Sequence, residues 1–188
     1  MINAARELLA DGQWSGFTLD AVAARAGVTR VTVYNQVKSK AGLVDAVLTD
    51  LTERAGMDML LTNSRELTAA AAREFVVEQT CLFWHAERAA LRPLFGLAAI
   101  DRDIAANLAR REQWRTDQIE ALVDRLAEEA RADDEGGPMI GLGLPRAALL
   151  AGLTAATSFP TYDALGPLAD DPAAAADVVL RLVIGLTG

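Results

Sequence analysis

Cysteine and histidine each occur once in this sequence, and aromatic residues make up only 5% of it. A single cysteine, Cys81, excludes an intrachain disulfide and a cysteine-based zinc cage. No run of about 18 uncharged apolar residues occurs, which argues against a membrane-spanning helix. The stretch Met1-Ile2-Asn3-Ala4-Ala5-Arg6-Glu7 is amphipathic and lacks the basic-then-apolar order of an export signal. A soluble cytoplasmic protein is the expectation. What is abundant is apolar: 52% of the 188 residues are hydrophobic, with alanine and leucine prominent. Both lose little side-chain entropy in a helix, so the composition favours helices and supports a sizeable core.

The charge is uneven along the chain. The net charge is −8, yet residues 1–46 hold five basic and four acidic side chains, a balance of +1, and the remainder stands at −9. Both lysines, Lys38 and Lys40, lie in that first segment. A mildly basic end on an acidic body is compatible with a nucleic-acid partner at that end, with weak non-specific binding.

Helical periodicity predicts a first helix over Ile2–Ala10, stopped by Asp11-Gly12. A second should begin near Thr18, a good N-cap with Asp20 in its first turn, and end at Gly27. A third should run from about Thr29 to Val37, and Ser39 should cap a longer helix through Leu51. Another helical stretch is expected from Glu66 to Trp84, with Pro93 interrupting the chain beyond it. Residues 101–131 predict one long amphipathic helix. The run Asp133-Asp134-Glu135-Gly136-Gly137-Pro138 predicts a break, with a loop as far as Gly143. Pro145 can open the next helix, Pro160 should end it, and a last helix is expected over Pro172–Leu186. No strand-like alternation stands out. The expected class is all-α.

The segment from Thr18 to Tyr34 carries the functional signal. A helix-turn-helix needs a small residue where its helices approach and a turn residue that tolerates positive φ. Ala23 and Gly27 supply these, with Val22, Val28 and Val33 as apolar contacts. The outward face of the second helix then presents Thr29, Arg30, Thr32, Tyr34 and Asn35, which suit phosphates and base edges. Alone, this spacing also fits an ordinary helical hairpin with a glycine C-cap. The longer context resembles the TetR family of regulators. Ile2-Asn-Ala-Ala-Arg-Glu-Leu8 matches its first helix, followed by Gly12, Trp14 and Thr18. Ala26-Gly-Val-Thr-Arg-Val-Thr-Val-Tyr34 and Ser39-Lys-Ala-Gly-Leu-Val44 complete the pattern. It departs at Val31, where a small or polar residue is frequent, and at Gln36-Val37, where His-Phe is frequent.

The resemblance implies a three-helix DNA-binding domain over residues 1–46 and a larger helical effector-binding and dimerisation domain over 47–188. It implies a dimeric, ligand-responsive repressor on a palindromic double-stranded operator, with no cofactor, no metal and no membrane. Thr18, Tyr34 and Lys40 would meet phosphates, while Thr29, Arg30, Val31, Thr32 and Asn35 would read bases. Val31 could meet a thymine methyl. Two helices would build the dimer interface, through Ala148, Ala151, Gly152, Ala155, Val179, Leu182, Val183 and Leu186. Cys81, Trp84, His85, Phe95, Trp114, Phe159 and Tyr162 are candidates for lining a pocket, whose few charges suit a small, largely apolar effector. Two rivals remain open. One is a helical enzyme, whose Cys-His pair would have to be Cys81 and His85 without an orienting third group. The other is a scaffold that kept the fold and lost DNA binding.

Overall fold

A computed structural model describes residues 1–12, 16–133 and 145–187. The break expected beyond Asp133 lies, from Asp134 to Gly143, outside the described residues, as does Trp14. Among the described residues there are helices and turns and no strand. In chain order they are α1 (Ile2–Ala10), α2 (Leu19–Ala26), α3 (Arg30–Val37), α4 (Lys40–Arg54), α5 (Leu60–Asn63), α6 (Ala69–Ala98), α7 (Arg102–Asp133), α8 (Arg146–Ala156), α9 (Phe159–Ala164) and α10 (Pro172–Thr187). Among the described residues no helix is long and apolar enough to cross a membrane.

The chain divides into two compact units. One holds residues 1–56 with residues 86–111, and the other residues 57–85 with residues 112–188. The unit that carries the helix-turn-helix therefore takes in more than the first 46 residues.

In the first unit the core is mainly aliphatic around the buried Phe17. Ala5, Leu9, Val22, Val33, Leu43, Val44, Val47 and Leu51 from α1–α4 are buried, together with Leu91, Leu94 and Ile104 from residues 86–111. Polar ties complete the packing. Arg6 donates to both carboxylate oxygens of Glu87 at 2.8 Å. The buried Asn107 donates through Nδ2 to the Ala41 carbonyl at 2.7 Å, in the first turn of α4. Arg111 donates to Thr49, and both Arg110 and Arg111 face Asp45 at 3.5 and 3.6 Å.

In the second unit the buried set is bulkier: Phe83, Trp84, Ile119, Leu122, Leu149, Leu153, Phe159, Tyr162, Val179 and Val183. A charged residue, Arg115, is buried among them. Its guanidinium donates to Glu112 at 2.7 Å, to the Thr154 carbonyl at 2.9 Å and to the Thr157 hydroxyl at 2.8 Å. A buried charge is tolerable only with such pairing.

Both proline expectations are corrected. Pro93 lies inside α6, which continues to Ala98. Its ring removes one ladder hydrogen bond, but Ala89, whose carbonyl loses that donor, is at an exposed position. Buried Leu91, Leu94 and Leu97 hold the helix on either side of the gap. Pro160 opens α9 rather than closing α8. Ser158 caps α9, its Oγ accepting from the Thr161 N–H at 3.3 Å, and proline suits the first turn because its missing donor would be unpaired there anyway.

Gly42, in the first turn of α4, has no room for a side chain. A Cβ there would fall inside contact distance of the Val37 carbonyl, which is backbone and cannot swing away. Gly96 in α6 faces open space. Gly42→Ala should therefore destabilise the protein by about 1–3 kcal/mol through the forced shift of α4. Gly96→Ala should instead stabilise it by about 0.5–1 kcal/mol through the lost backbone entropy of the unfolded chain. Urea unfolding midpoints of the two variants, moving in opposite directions from wild type, check both.

Candidate nucleic-acid interface

The helix-turn-helix is assembled from hydrogen-bonded caps. Thr18 is extended and its Oγ1 accepts from the Ala21 N–H at 3.1 Å, so α2 starts where the sequence places it. Phe17 and Val22, both buried, occupy the two positions of a hydrophobic staple across that cap. α2 ends at Gly27, which adopts the left-handed conformation at φ 66°, ψ 30°, and the next N–H, of Val28, donates back to the Ala23 carbonyl at 3.0 Å. Only glycine enters that region without steric cost.

Thr29 then caps α3. Its Oγ1 accepts from the Thr32 N–H at 3.1 Å and lies 2.9 Å from the Thr32 hydroxyl. α3 has just two buried residues, Val33 and Val37, one turn apart. Arg30, Val31, Thr32, Tyr34, Asn35 and Gln36 are all exposed. The helix is thus clamped along one edge and presents the rest of its surface. Val31 is 67% exposed and Tyr34 is 52% exposed, unusual for apolar and aromatic residues on a capped, well-packed helix.

The far end of α3 is equally defined. Lys38 stands at φ 61°, the one positive φ of a non-glycine among the described residues, and its N–H donates to the Tyr34 carbonyl at 2.8 Å. Its Nζ sits 5.9 Å from the Tyr34 ring centre. Ser39 caps α4, accepting from the Gly42 N–H at 2.9 Å. Lys40 follows, its Nζ 5.7 Å from the Phe17 ring centre, beside the start of α2.

Two arginines of α2 and α3 are ion-paired. Arg25 contacts Glu7 at 3.1 Å and Asp11 at 2.9 Å, and these carboxylates, Asp11 foremost, raise its pKa. Arg30 meets Asp20 at 3.3 Å.

The structure thus brings Thr29, Arg30, Val31, Thr32, Tyr34 and Asn35 onto one exposed helix, with Thr18 and Lys40 at the first turns of its two neighbours. One expectation fails: Val28 is 40% exposed, whereas Phe17 is buried. Val28 lies in the turn between α2 and α3, outside the buried stripe of either helix. The Asp20 partner of Arg30 was not foreseeable from spacing, because the two lie on different helices.

Of the pocket candidates, Cys81, Trp84 and Tyr162 surround a packed void with no room for a water molecule, together with Val77, Thr80, Ala156, Thr157 and Val179. Phe159 stacks edge-on against Trp84, ring centres 5.6 Å apart. Trp84 Nε1 donates to the Thr157 carbonyl at 3.0 Å, and the Tyr162 hydroxyl to the Ala169 carbonyl at 2.9 Å. His85 is exposed, with Nδ1 3.1 Å from the Ala169 carbonyl, and Trp114 is 36% exposed. Phe95 belongs to the other unit. These three do not line the void.

Of the interface candidates, Ala148, Ala151 and Ala155 on α8 and Leu182 on α10 are exposed. Gly152 and Leu186 are half-buried against each other, a Leu186 methyl lying 3.0 Å from where a Gly152 Cβ would stand. Val179 and Val183 face the core of their own unit and are closed to a partner, because they alternate with the exposed side of α10.

Comparison with known proteins agrees with the geometry. The family model for bacterial regulatory proteins of the tetR family matches residues 1–47. The HTH-type transcriptional regulator AlkX of Mycobacterium tuberculosis is 33% identical over 84 residues, which is 42% of this chain and 40% of that relative. The chain therefore spans less than half the length of this curated relative. Among solved structures, a TetR-family transcriptional regulator from Rhodococcus sp. superposes with a TM-score of 0.74 at 17% identity, covering 100% of this chain and 96% of that one. NalD, the secondary repressor of the MexAB-OprM multidrug efflux pump in Pseudomonas aeruginosa, superposes with a TM-score of 0.60 at 20% identity, covering 99% and 94%. Residues 1–47 thus carry the signature of bacterial regulatory proteins of the tetR family, and the fold along the full length is the one seen in solved TetR-family regulators.

Proposed function

We propose that this protein is a dimeric, sequence-specific DNA-binding repressor, acting in the cytoplasm on a palindromic operator and released by a small, largely apolar ligand. The observation that carries the reading is α3, a short helix capped at both ends whose exposed side chains are polar or suited to base edges. Residues 1–46 contain the DNA-reading elements, and residues 47–188 supply effector binding and dimerisation. Thr18, Tyr34 and Lys40 meet phosphates and fix the docking angle. Arg30, Val31, Thr32 and Asn35 face the bases, Val31 offering its methyls to thymine. Thr29 contributes chiefly by shaping the helix start, since its oxygen already accepts from Thr32.

A single eight-residue helix reads few bases, so a two-fold dimer on half-sites about 34–36 Å apart, or a multiple, is the natural solution. The exposed alanines of α8 and Leu182 of α10 offer that dimer an apolar, closely packing face. The void beside Trp84 suits an apolar guest, because the polar atoms of Trp84 and Tyr162 are already satisfied. It has no room even for a water molecule, so it must open to admit a ligand, for which cavities of roughly 300–1,000 Å³ are usual. A ligand that favours the open form shifts the population and lowers operator affinity. Repression is the role of NalD, which shares the fold.

Cys81 speaks against the enzyme alternative, which needs it as nucleophile. Burial pushes the Cys81 thiol up to about 12, so it stays protonated at neutral pH, and the thiolate is the reactive form.

Three outcomes test this reading. Labelled DNA from upstream of the protein's own gene, or operators recovered from a genomic selection, should bind saturably and more tightly than random DNA, with affinity falling as salt rises. Tyr34→Ala should abolish the preference, and anisotropy titrations that detect no preferred DNA would overturn the reading. Sedimentation should show a dimer that Ala151→Arg or Leu182→Glu converts to a folded monomer. Finally, Cys81 should resist thiol reagents at pH 8 when native and react on unfolding. Because the unfolded thiol ionises near 9 and the native one near 12, stability should decline as pH rises across that window.

A further inference from the structure

Asp20 is a carboxylate placed where a DNA-binding surface has reason to avoid one. It sits in the first turn of α2, two residues after Thr18, and is largely exposed. A first-turn acid favours the helix dipole, but a negative charge beside the proposed phosphate contact of Thr18 is repelled by that same phosphate. What distinguishes Asp20 is its partner. Its Oδ2 lies 3.3 Å from Nη1 of Arg30, the first residue of α3. The pair joins the first turn of one helix to the first turn of the next, and both side chains are about two-thirds exposed.

Nη1 is the guanidinium nitrogen nearest the carboxylate, and a single ion pair leaves other donors of the guanidinium for a second partner. Arginine carries five donors in a rigid plane, so one carboxylate on Nη1 orients the plane without exhausting it. A guanine edge, with N7 and O6 side by side, fits the remaining donors.

We propose that Asp20 is a positioning residue that holds Arg30 for guanine and so sets the sequence selectivity of α3; this rests on the DNA-binding reading above. On an operator with guanine at the matching position, Arg30 keeps Asp20 and gains the base. On random DNA, Arg30 can gain a phosphate only by swinging away, which breaks the pair and leaves Asp20 unneutralised beside the backbone. The carboxylate thus costs little on the correct site and penalises the wrong ones. The pairing of Arg25 with Glu7 and Asp11 acts in the same direction, leaving fewer cations for indiscriminate phosphate contact.

The experiment uses full-length protein and the duplex that wild type selects from a randomised library. Affinities for that duplex and for random DNA are measured by anisotropy at several salt concentrations. Asp20→Asn should tighten random-DNA binding and reduce the ratio of specific to non-specific affinity by roughly two- to fivefold per reading head. It should steepen the salt dependence on random DNA by about 0.9 per added phosphate contact. A repeat selection with the variant should lose its guanine preference at one position of each half-site. In an Arg30→Ala background the same substitution should leave the ratio unchanged, which a general charge effect or a merely structural role of Asp20 would not do. An unchanged ratio for Asp20→Asn, or an equal change with and without Arg30, overturns the proposal while DNA binding stands. If wild type selects no duplex at all, the DNA-binding reading and this proposal fall together.

Discussion

The orientation of α3 depends on two backbone turns that tolerate almost no variation. At its start, Gly27 occupies a left-handed conformation that lets α2 stop and the chain reverse within two residues. At its end, Lys38 takes a positive φ, and α4 begins so close behind that Gly42 can carry no side chain against the Val37 carbonyl. Between these points the helix is only eight residues long and buries only Val33 and Val37. Such a helix has little stability of its own, since a short helix recovers few hydrogen bonds for the cost of its nucleus. Its caps and the packing of its neighbours hold it, so Thr29, Ser39 and the core of α1 and α4 are as necessary to the exposed face as the face itself.

Much of this was legible in the sequence because it is local. Thr18, Thr29 and Ser39 each stand three residues before the backbone N–H they accept, a relation that needs no knowledge of the fold. Gly27 announces its own conformation. The long helices α7 and α10 follow from apolar periodicity over many turns. What was not legible is what tertiary packing decides. Pro93 reads as a breaker, yet buried leucines around it carry α6 through the gap. Pro160 reads as a terminator, but Ser158 just before it makes it the opening of α9. Val28 has the composition of a core residue and the position of a turn residue, and position prevails. The pocket candidates divide for the same reason: aromatic identity marked Phe95 and Trp114, but only the fold reveals which aromatics converge.

Charge serves two purposes. In the second unit, Arg115 is buried and satisfied on several sides, so its charge is part of the scaffold linking α7 to α8 and the turn after it. Within the first, the ion pairs of Arg25, Arg30 and Arg54 are exposed and individually weak, and their value is in where they hold a guanidinium. An acidic protein can in this way present a local cationic surface without becoming indiscriminately adhesive.

The division of labour along α3 bears on how this protein can change over generations. Val33 and Val37 anchor the helix, while Val31, Thr32, Asn35 and Gln36 project outward and take little part in packing. Exposed positions of this kind accept substitution at small cost to stability. The outward set can therefore drift, and with it whatever the helix recognises, while the anchors and the two tight turns stay as they are. Duplicated copies of such a gene could diverge in target without first passing through an unfolded intermediate.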